Sequence, residues 1–103
     1  MQNNYTLQNI VSNIITKVKK QDFLVYFRKI SIIENSKDKV IFGVVSSFMK
    51  DNLEAKFYNE VLEATKEIIP DIKEIEFKVD LNIDNPSNAS VIDCANFYKE
   101  EIR

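Results

Sequence analysis

The stretch from Ser47 to Pro70 constrains this chain most. Its apolar residues fall at Leu53, Phe57, Val61, Ala64 and Ile68, with Tyr58, Leu62 and Ile69 widening the stripe. Spacings of three and four residues place them on one side of a helix, and Lys50, Asn52, Glu60, Glu63 and Lys66 occupy the other. At about 1.5 Å per residue an unbroken helix here spans roughly 30 Å, the width of a small domain. Ser46 or Ser47 is placed to cap it, and Pro70 disfavours helix in the residue before it. A β-like segment lies on each side, so the rest of the chain is expected to pack around this helix.

Before it, Leu7, Ile10, Val11, Ile14 and Val18 predict a first helix over Thr6–Lys20, with Asn4 or Thr6 as cap. Phe23, Tyr26, Phe27 and Ile30 predict a short second helix over Gln21–Lys29. Ile30–Glu34 is β-branched, Asn35–Asp38 has turn chemistry, and Val40–Val45 is a continuous apolar run. The pair reads as a hairpin whose second strand is either buried on both faces or central in a sheet. Gly43, the only glycine, marks either a bulge or a close approach by the long helix. After Pro70, strict alternation of Ile75, Phe77, Val79, Leu81 and Ile83 with polar residues predicts a strand with one wet face, at or near a sheet edge. Residues 84–90 read as a polar loop around Pro86, and Val91–Ile102 as a further helix.

The expected architecture is therefore α+β in the order ααββαβ, a three-stranded sheet with helices packed on one face. The crossover through the long helix makes the second and third strands parallel. Residues 1–83 form the predicted domain, and 84–103 a linker or C-terminal helical extension.

Composition narrows the function. With 103 residues and 45% hydrophobic content, the chain can build one core without staples. Histidine is absent, which removes the commonest general base and metal ligand together. Cys94 is the only cysteine, so no disulfide or cysteine zinc site forms within one chain; it sits beside Asp93 with no evident activating base and reads as a small apolar contact. Asp80-x-Asn82-x-Asp84 resembles the start of a calcium loop. However, Asn85 stands where that loop needs glycine and Val91 where it needs glutamate. These residues support neither an enzyme nor a metal or cofactor site. No apolar run has membrane-spanning length and MQNNYTLQN lacks signal-peptide features, so a cytoplasmic protein is expected. The patterns at Asn4-Tyr5-Thr6 and Asn88-Ala89-Ser90 then have no glycosylation context.

A net charge of −2 argues against a dedicated nucleic-acid binder. The one basic concentration, Lys17, Lys19, Lys20, Arg28 and Lys29 near Phe23 and Tyr26, is either a solvated helix join or a weak site for single-stranded DNA or RNA. A glycine-loop RNA clamp is excluded by the single glycine.

Asp22-Phe23-Leu24-Val25-Tyr26-Phe27-Arg28-Lys29-Ile30, followed by an apolar strand and then Val44-Val45-Ser46-Ser47-Phe48-Met49-Lys50-Asp51-Asn52-Leu53, resembles the N-terminal domain of DnaA, the bacterial chromosomal replication initiator. Tyr58 on the long helix and Ile75-Glu76-Phe77-Lys78-Val79 after it extend the resemblance over roughly residues 6–83. Val45 stands where that family commonly has proline, and the chain has no tryptophan. The resemblance implies a KH-like interaction module that self-associates, contacts the replicative helicase and binds regulators of initiation. It leaves two readings of the chain, an excised domain or a free-standing relative. By position it carries helicase and regulator contact onto Asp22 and helicase contact onto Phe48, at the first turn of the long helix with Asp51. Self-association falls on Leu7, or on Tyr5 if the register slips. Each has a plainer reading: Asp22 as an acid suited to a helix N-terminus, Phe48 and Leu7 as core.

Overall fold

The computed structural model describes residues 2–27, 29–36, 38–83 and 91–93, with side chains described from Thr6 to Ile83. In chain order the elements are α1 (Gln2–Ile14), α2 (Lys20–Tyr26), β1 (Lys29–Asn35), β2 (Lys39–Val44), α3 (Ser47–Lys56), α4 (Tyr58–Lys66), β3 (Glu74–Val79) and β4 (Val91–Asp93). This is the expected α+β order, with the long helix in two pieces and one short strand added.

The sheet runs β3-β2-β1-β4. β1 and β2 form the expected antiparallel hairpin, with Ile30 opposite Val44 and Asn35 opposite Val40. Its turn is closed by Ser36, whose backbone N–H and hydroxyl both donate to the Lys39 carbonyl, at 2.9 and 3.0 Å. β2 is buried from Val40 to Val44, as a central strand must be. β3 lies parallel to β2, Val40 opposite Ile75 and Val44 opposite Val79. The crossover through α3 and α4 thus has the expected sense, and β3 is an edge strand.

One sheet face meets the helices. Ile30, Ile32, Val40, Phe42, Val44, Ile75 and Phe77 share a core with Leu7, Ile10, Val11 and Ile14 of α1, Phe23 of α2, and Met49, Leu53, Phe57, Val61 and Ala64 of the third helical segment. Each alternate apolar strand residue has a helix stripe to bury it, which is what the period-two and period-3.6 patterns require together. Phe42 and Phe77 stack across β2 and β3 with ring centroids 5.7 Å apart.

Several expectations are corrected. The helix from Ser47 is not continuous. Phe57, at φ −125° and ψ 11°, leaves the helical region and separates α3 from α4. Its N–H still bonds the Leu53 carbonyl, and its carbonyl takes the Val61 N–H, so the chain bends without orphaning either group. Ser46 is the cap, its hydroxyl accepting from the Met49 N–H at 3.3 Å. The segment ends at Lys66, before Pro70 is reached. α1 begins at Gln2, so Asn4 and Thr6 lie inside it, and it stops at Ile14. There Thr16 and Lys17 donate to carbonyls three residues back and tighten the last turn.

β3 ends at Val79 and does not reach Ile83. The Asp80 carboxylate accepts the Asn82 N–H at 2.9 Å, and the Asp80 carbonyl takes the Ile83 N–H, turning the chain so that Leu81 is 92% exposed. This turn, rather than the wet face of a strand, holds Asp80 and Asn82; Asp84 lies outside the described residues. The bulge lies in β1, between Ile32 and Glu34, and not at Gly43. Nor does the long helix approach Gly43. A Cβ there would fall on Ser31 Oγ and 2.7 Å from Asp80 Cβ. Val91–Asp93 extend the sheet beside β1 instead of starting a helix. Cys94, the loop at 84–90, and the remainder of the expected C-terminal helix lie outside the described residues.

Candidate protein-interaction surface

α2 is short and entered by Lys19 in extended conformation without a side-chain cap, and Asp22 supplies the negative charge that favours a first turn. What holds α2 in place is aromatic. Phe23 and Phe27 stack at 5.4 Å and 18°, and Phe27 meets Phe57 at 5.7 Å. Tyr26 leans on Phe57 at 5.6 Å and stacks on Phe48 at 6.2 Å and 28°. Aromatic pairs at such separations each add about 0.5–1.5 kcal/mol beyond area burial.

Phe48 is the outermost ring of this series and is 61% exposed. It occupies the first turn of α3, next to the Ser46 cap, and its carbonyl accepts from Asn52 Nδ2 at 2.8 Å. The neighbouring Met49 and Leu53 point into the core, so the helix cannot rotate to bury Phe48 without exposing them. Lys56, further along α3, places Nζ 5.4 Å from the Tyr26 ring centroid, a cation–π geometry. On α2, Val25 is 47% exposed and Asp22 half-buried; with Tyr26 they follow the spacing of one helix face. Asp51 is exposed on α3. The result is a fixed aromatic ridge, Phe48 on Tyr26, carried on two helices that bear charges of both signs.

The sequence-derived candidates separate on this map. Asp22, Phe48 and Asp51 all lie on α2 and α3, with Phe48 on the ridge. Leu7 is fully buried in the core beside Ile10 and Val11, so the plainer reading holds and it presents no surface for self-association. Tyr5 lies in α1, but its side chain is outside the described residues. Of the basic group, Lys17 forms an ion pair with Glu67 of the α4 C-cap at 3.1 Å. Lys19 and Lys20 are exposed at the start of α2, and Lys29 lies on β1 opposite Asp93. Arg28 is outside the described residues. The cluster is thus divided between a helix join and a strand, and Lys17 is already paired with Glu67.

Val25 and Lys56 also belong to the surface, with no role expected from sequence, and Tyr26, expected only as stripe residue and neighbour of the basic group, supports the ridge. Tyr26 reads as part of the second helix's apolar stripe, and its spacing of four from Asp22 was the available sign of a shared outer face. Among the described residues no group of three or more acidic or cysteine side chains is placed to hold a metal ion, and no helix is long and apolar enough to cross a membrane.

No protein-family model matches the sequence, and no curated protein matches it.

Proposed function

We propose that this chain is a protein–protein interaction module of the kind found at the N-terminus of the bacterial replication initiator DnaA. It docks on the replicative helicase and on regulators of initiation through the Phe48–Tyr26 ridge. The observation that carries this reading is the exposure of Phe48: a large ring held by Tyr26 and left mostly uncovered by the described residues has the character of an interface anchor. Asp22 and Asp51 supply acidic groups on the same pair of helices, suited to basic residues on a partner. The resemblance over residues 6–83 supplies the partner class.

The competing use of the basic group for single-stranded nucleic acid is less well supported, because Lys17 is already committed to Glu67. Titration calorimetry with the replicative helicase tests the proposal. Phe48→Ala is expected to weaken binding by about 30-fold, as loss of a central anchor does, while leaving the far-UV spectrum unchanged. Equal affinity for both proteins, or no binding by the wild type, overturns it. A single-stranded oligonucleotide in the same cell serves as the alternative ligand.

A further inference from the structure

Among the described residues, β3 has β2 on one side and no strand on the other. Two hydrogen bonds fix which of its residues face outward. The Asp80 N–H donates to the Val44 carbonyl at 2.9 Å, so even-numbered residues turn toward β2. The Ile75 N–H instead donates away from β2, to the Tyr58 hydroxyl at 3.4 Å. Backbone groups of Ile75, Phe77 and Val79 therefore point to the open edge, and Tyr58 occupies one of them. An edge of this kind is a template for another strand unless something blocks it. Proline and a bulge, two common devices for doing so, are absent from β3. Beside it, Val79 is 37% and Leu81 92% exposed.

We propose that this edge pairs with the β3 edge of a second copy of this chain, antiparallel about a two-fold axis at Phe77. The charges select both the occupant and the register. With the axis at Phe77, Glu76 of each copy stands opposite Lys78 of the other, and Ile75 opposite Val79. Moving the axis to Glu76 sets Glu76 against Glu76, although Glu74 then meets Lys78, and moving it to Lys78 sets Lys78 against Lys78. An axis at Ile75 sets Glu74 against Glu76. Of these four registers, only that at Phe77 sets no two like charges of β3 opposite each other while pairing Glu76 with Lys78. Each copy's Phe77 N–H then meets the other's Phe77 carbonyl, and each Val79 N–H meets the other's Ile75 carbonyl, so Tyr58 keeps the Ile75 N–H. Lys39 engages Glu76 through Oε1 at 2.8 Å, which leaves the second carboxylate oxygen to receive Lys78. Glu74 falls opposite Asp80 in this register, but Asp80 lies past the end of β3 and its carboxylate is engaged by the Ser31 hydroxyl at 2.7 Å. This pairing stands independently of the helicase reading.

Strand pairing along one short edge buries little area, so association is expected only toward about 1 mM protein, weakening as salt screens the charge pairs. Sedimentation velocity over that range, in low salt, tests it with two variants, Glu76→Lys and Lys78→Glu. Both sites are at the surface, so folding is retained, which a thermal melt checks. Each variant alone meets like charges and is expected to stay monomeric. An equimolar mixture restores two opposite-charge pairs and is expected to dimerise as the wild type does. A merely structural role for either residue produces no such rescue by mixing. A wild type that stays monomeric at about 1 mM means that the charges guard the edge or that it takes a strand from a different protein, and overturns the proposal. So does association that persists in both variants, or a mixture that does not recover. Phe48→Ala leaves the self-association unchanged if the edge is responsible. Loss of association in that variant moves it to the aromatic ridge.

Discussion

Gly43→Ala examines how the two hairpin strands and the end of β3 are locked together. Gly43 does not have positive φ, so its backbone is open to any residue and the demand for glycine is one of space. Ser31 faces it across the β1–β2 ladder, and the Ser31 hydroxyl reaches over it to donate to Asp80 Oδ2 at 2.7 Å. An added methyl would occupy the place of Ser31 Oγ and lie 2.7 Å from Asp80 Cβ. Ser31 is only 1% exposed, so its displaced hydroxyl has no water to turn to. Losing a hydrogen bond to a charged acceptor costs about 1.5–3 kcal/mol, and overpacking about 1–3 kcal/mol. The reduced freedom of the unfolded chain returns about 0.4–1 kcal/mol. The net is a destabilisation of about 1.5–5.5 kcal/mol, or roughly 6 °C or more in Tm for a domain of this size. Urea unfolding with a common m-value measures it. Ser31→Ala removes the clashing oxygen, so the double variant is expected to cost about 1 kcal/mol less than the sum of the single changes. A Gly43→Ala protein within about 0.5 kcal/mol of wild type would refute the account of why glycine stands here.

Leu7→Ala, which empties a fully buried site in α1, is expected to cost about 2–5 kcal/mol. Phe48→Ala loses mainly its stack on Tyr26 and is expected to cost about 1 kcal/mol or less; the two urea midpoints compare them directly. Ser46→Ala removes the hydroxyl that accepts from Met49 N–H, with an expected cost of about 1 kcal/mol and faster amide exchange confined to the first turn of α3. The Lys39 ammonium holds the Glu76 carboxyl below its ordinary value, chiefly through their hydrogen bond, and the same bond raises Lys39. A depressed carboxylate contributes stability above its unfolded value and loses it as pH falls through the folded one. Lys39, being raised, contributes below its unfolded value and loses that as pH climbs through its folded one. Both groups are exposed, so the effect is small. Carboxyl NMR titration reads it directly, and Lys39→Met is expected to return the Glu76 midpoint toward the ordinary carboxylate range.

Much of the fold follows from periodicity, because burial is periodic wherever a single face meets a core. The apolar run at Val40–Val44 does lie in the middle of the sheet, and the alternation at Ile75–Val79 does lie at its edge. The same alternation misleads after Val79, because Ile83 is buried from within a turn made by the Asp80 side chain, where spacing carries no strand information. Phe57 gives no sign of a helix break, since no glycine or proline is near. Where the chain leaves helical geometry its ring meets Tyr26 and Phe27, some thirty residues earlier in the chain, and such contacts are not legible in local spacing. Leu7 and Phe48 were equally apolar on paper, and only the packing distinguishes them. Leu7 falls between Ile10 and Val11 on a stripe that faces the sheet, whereas Phe48 precedes a stripe that begins at Met49.

The bend at Phe57 links the aromatic ridge to the sheet edge. A straight helix through residues 47–69 would keep a single line across a body measuring 34 × 29 × 26 Å, and could not follow both α2 and α1. Bent at Phe57, α3 packs beside α2 and α4 packs on α1, so both amphipathic stripes find cover. Phe57 itself, 8% exposed, fills the angle and supports Tyr26 and Phe27. Tyr26 in turn supports Phe48, so the outermost ring is fixed through two intermediaries and not by its own burial. The next residue, Tyr58, carries its hydroxyl to the Ile75 N–H at the open edge of β3. One irregular residue thereby sets the orientation of the ridge proposed to meet a partner protein and occupies one backbone donor on the edge proposed to meet a second copy. Phe48 and Lys78 each belong to one of those surfaces, whereas Phe57 is tied to the ridge through Tyr26 and to the edge through its neighbour Tyr58, so a change at Phe57 would disturb both.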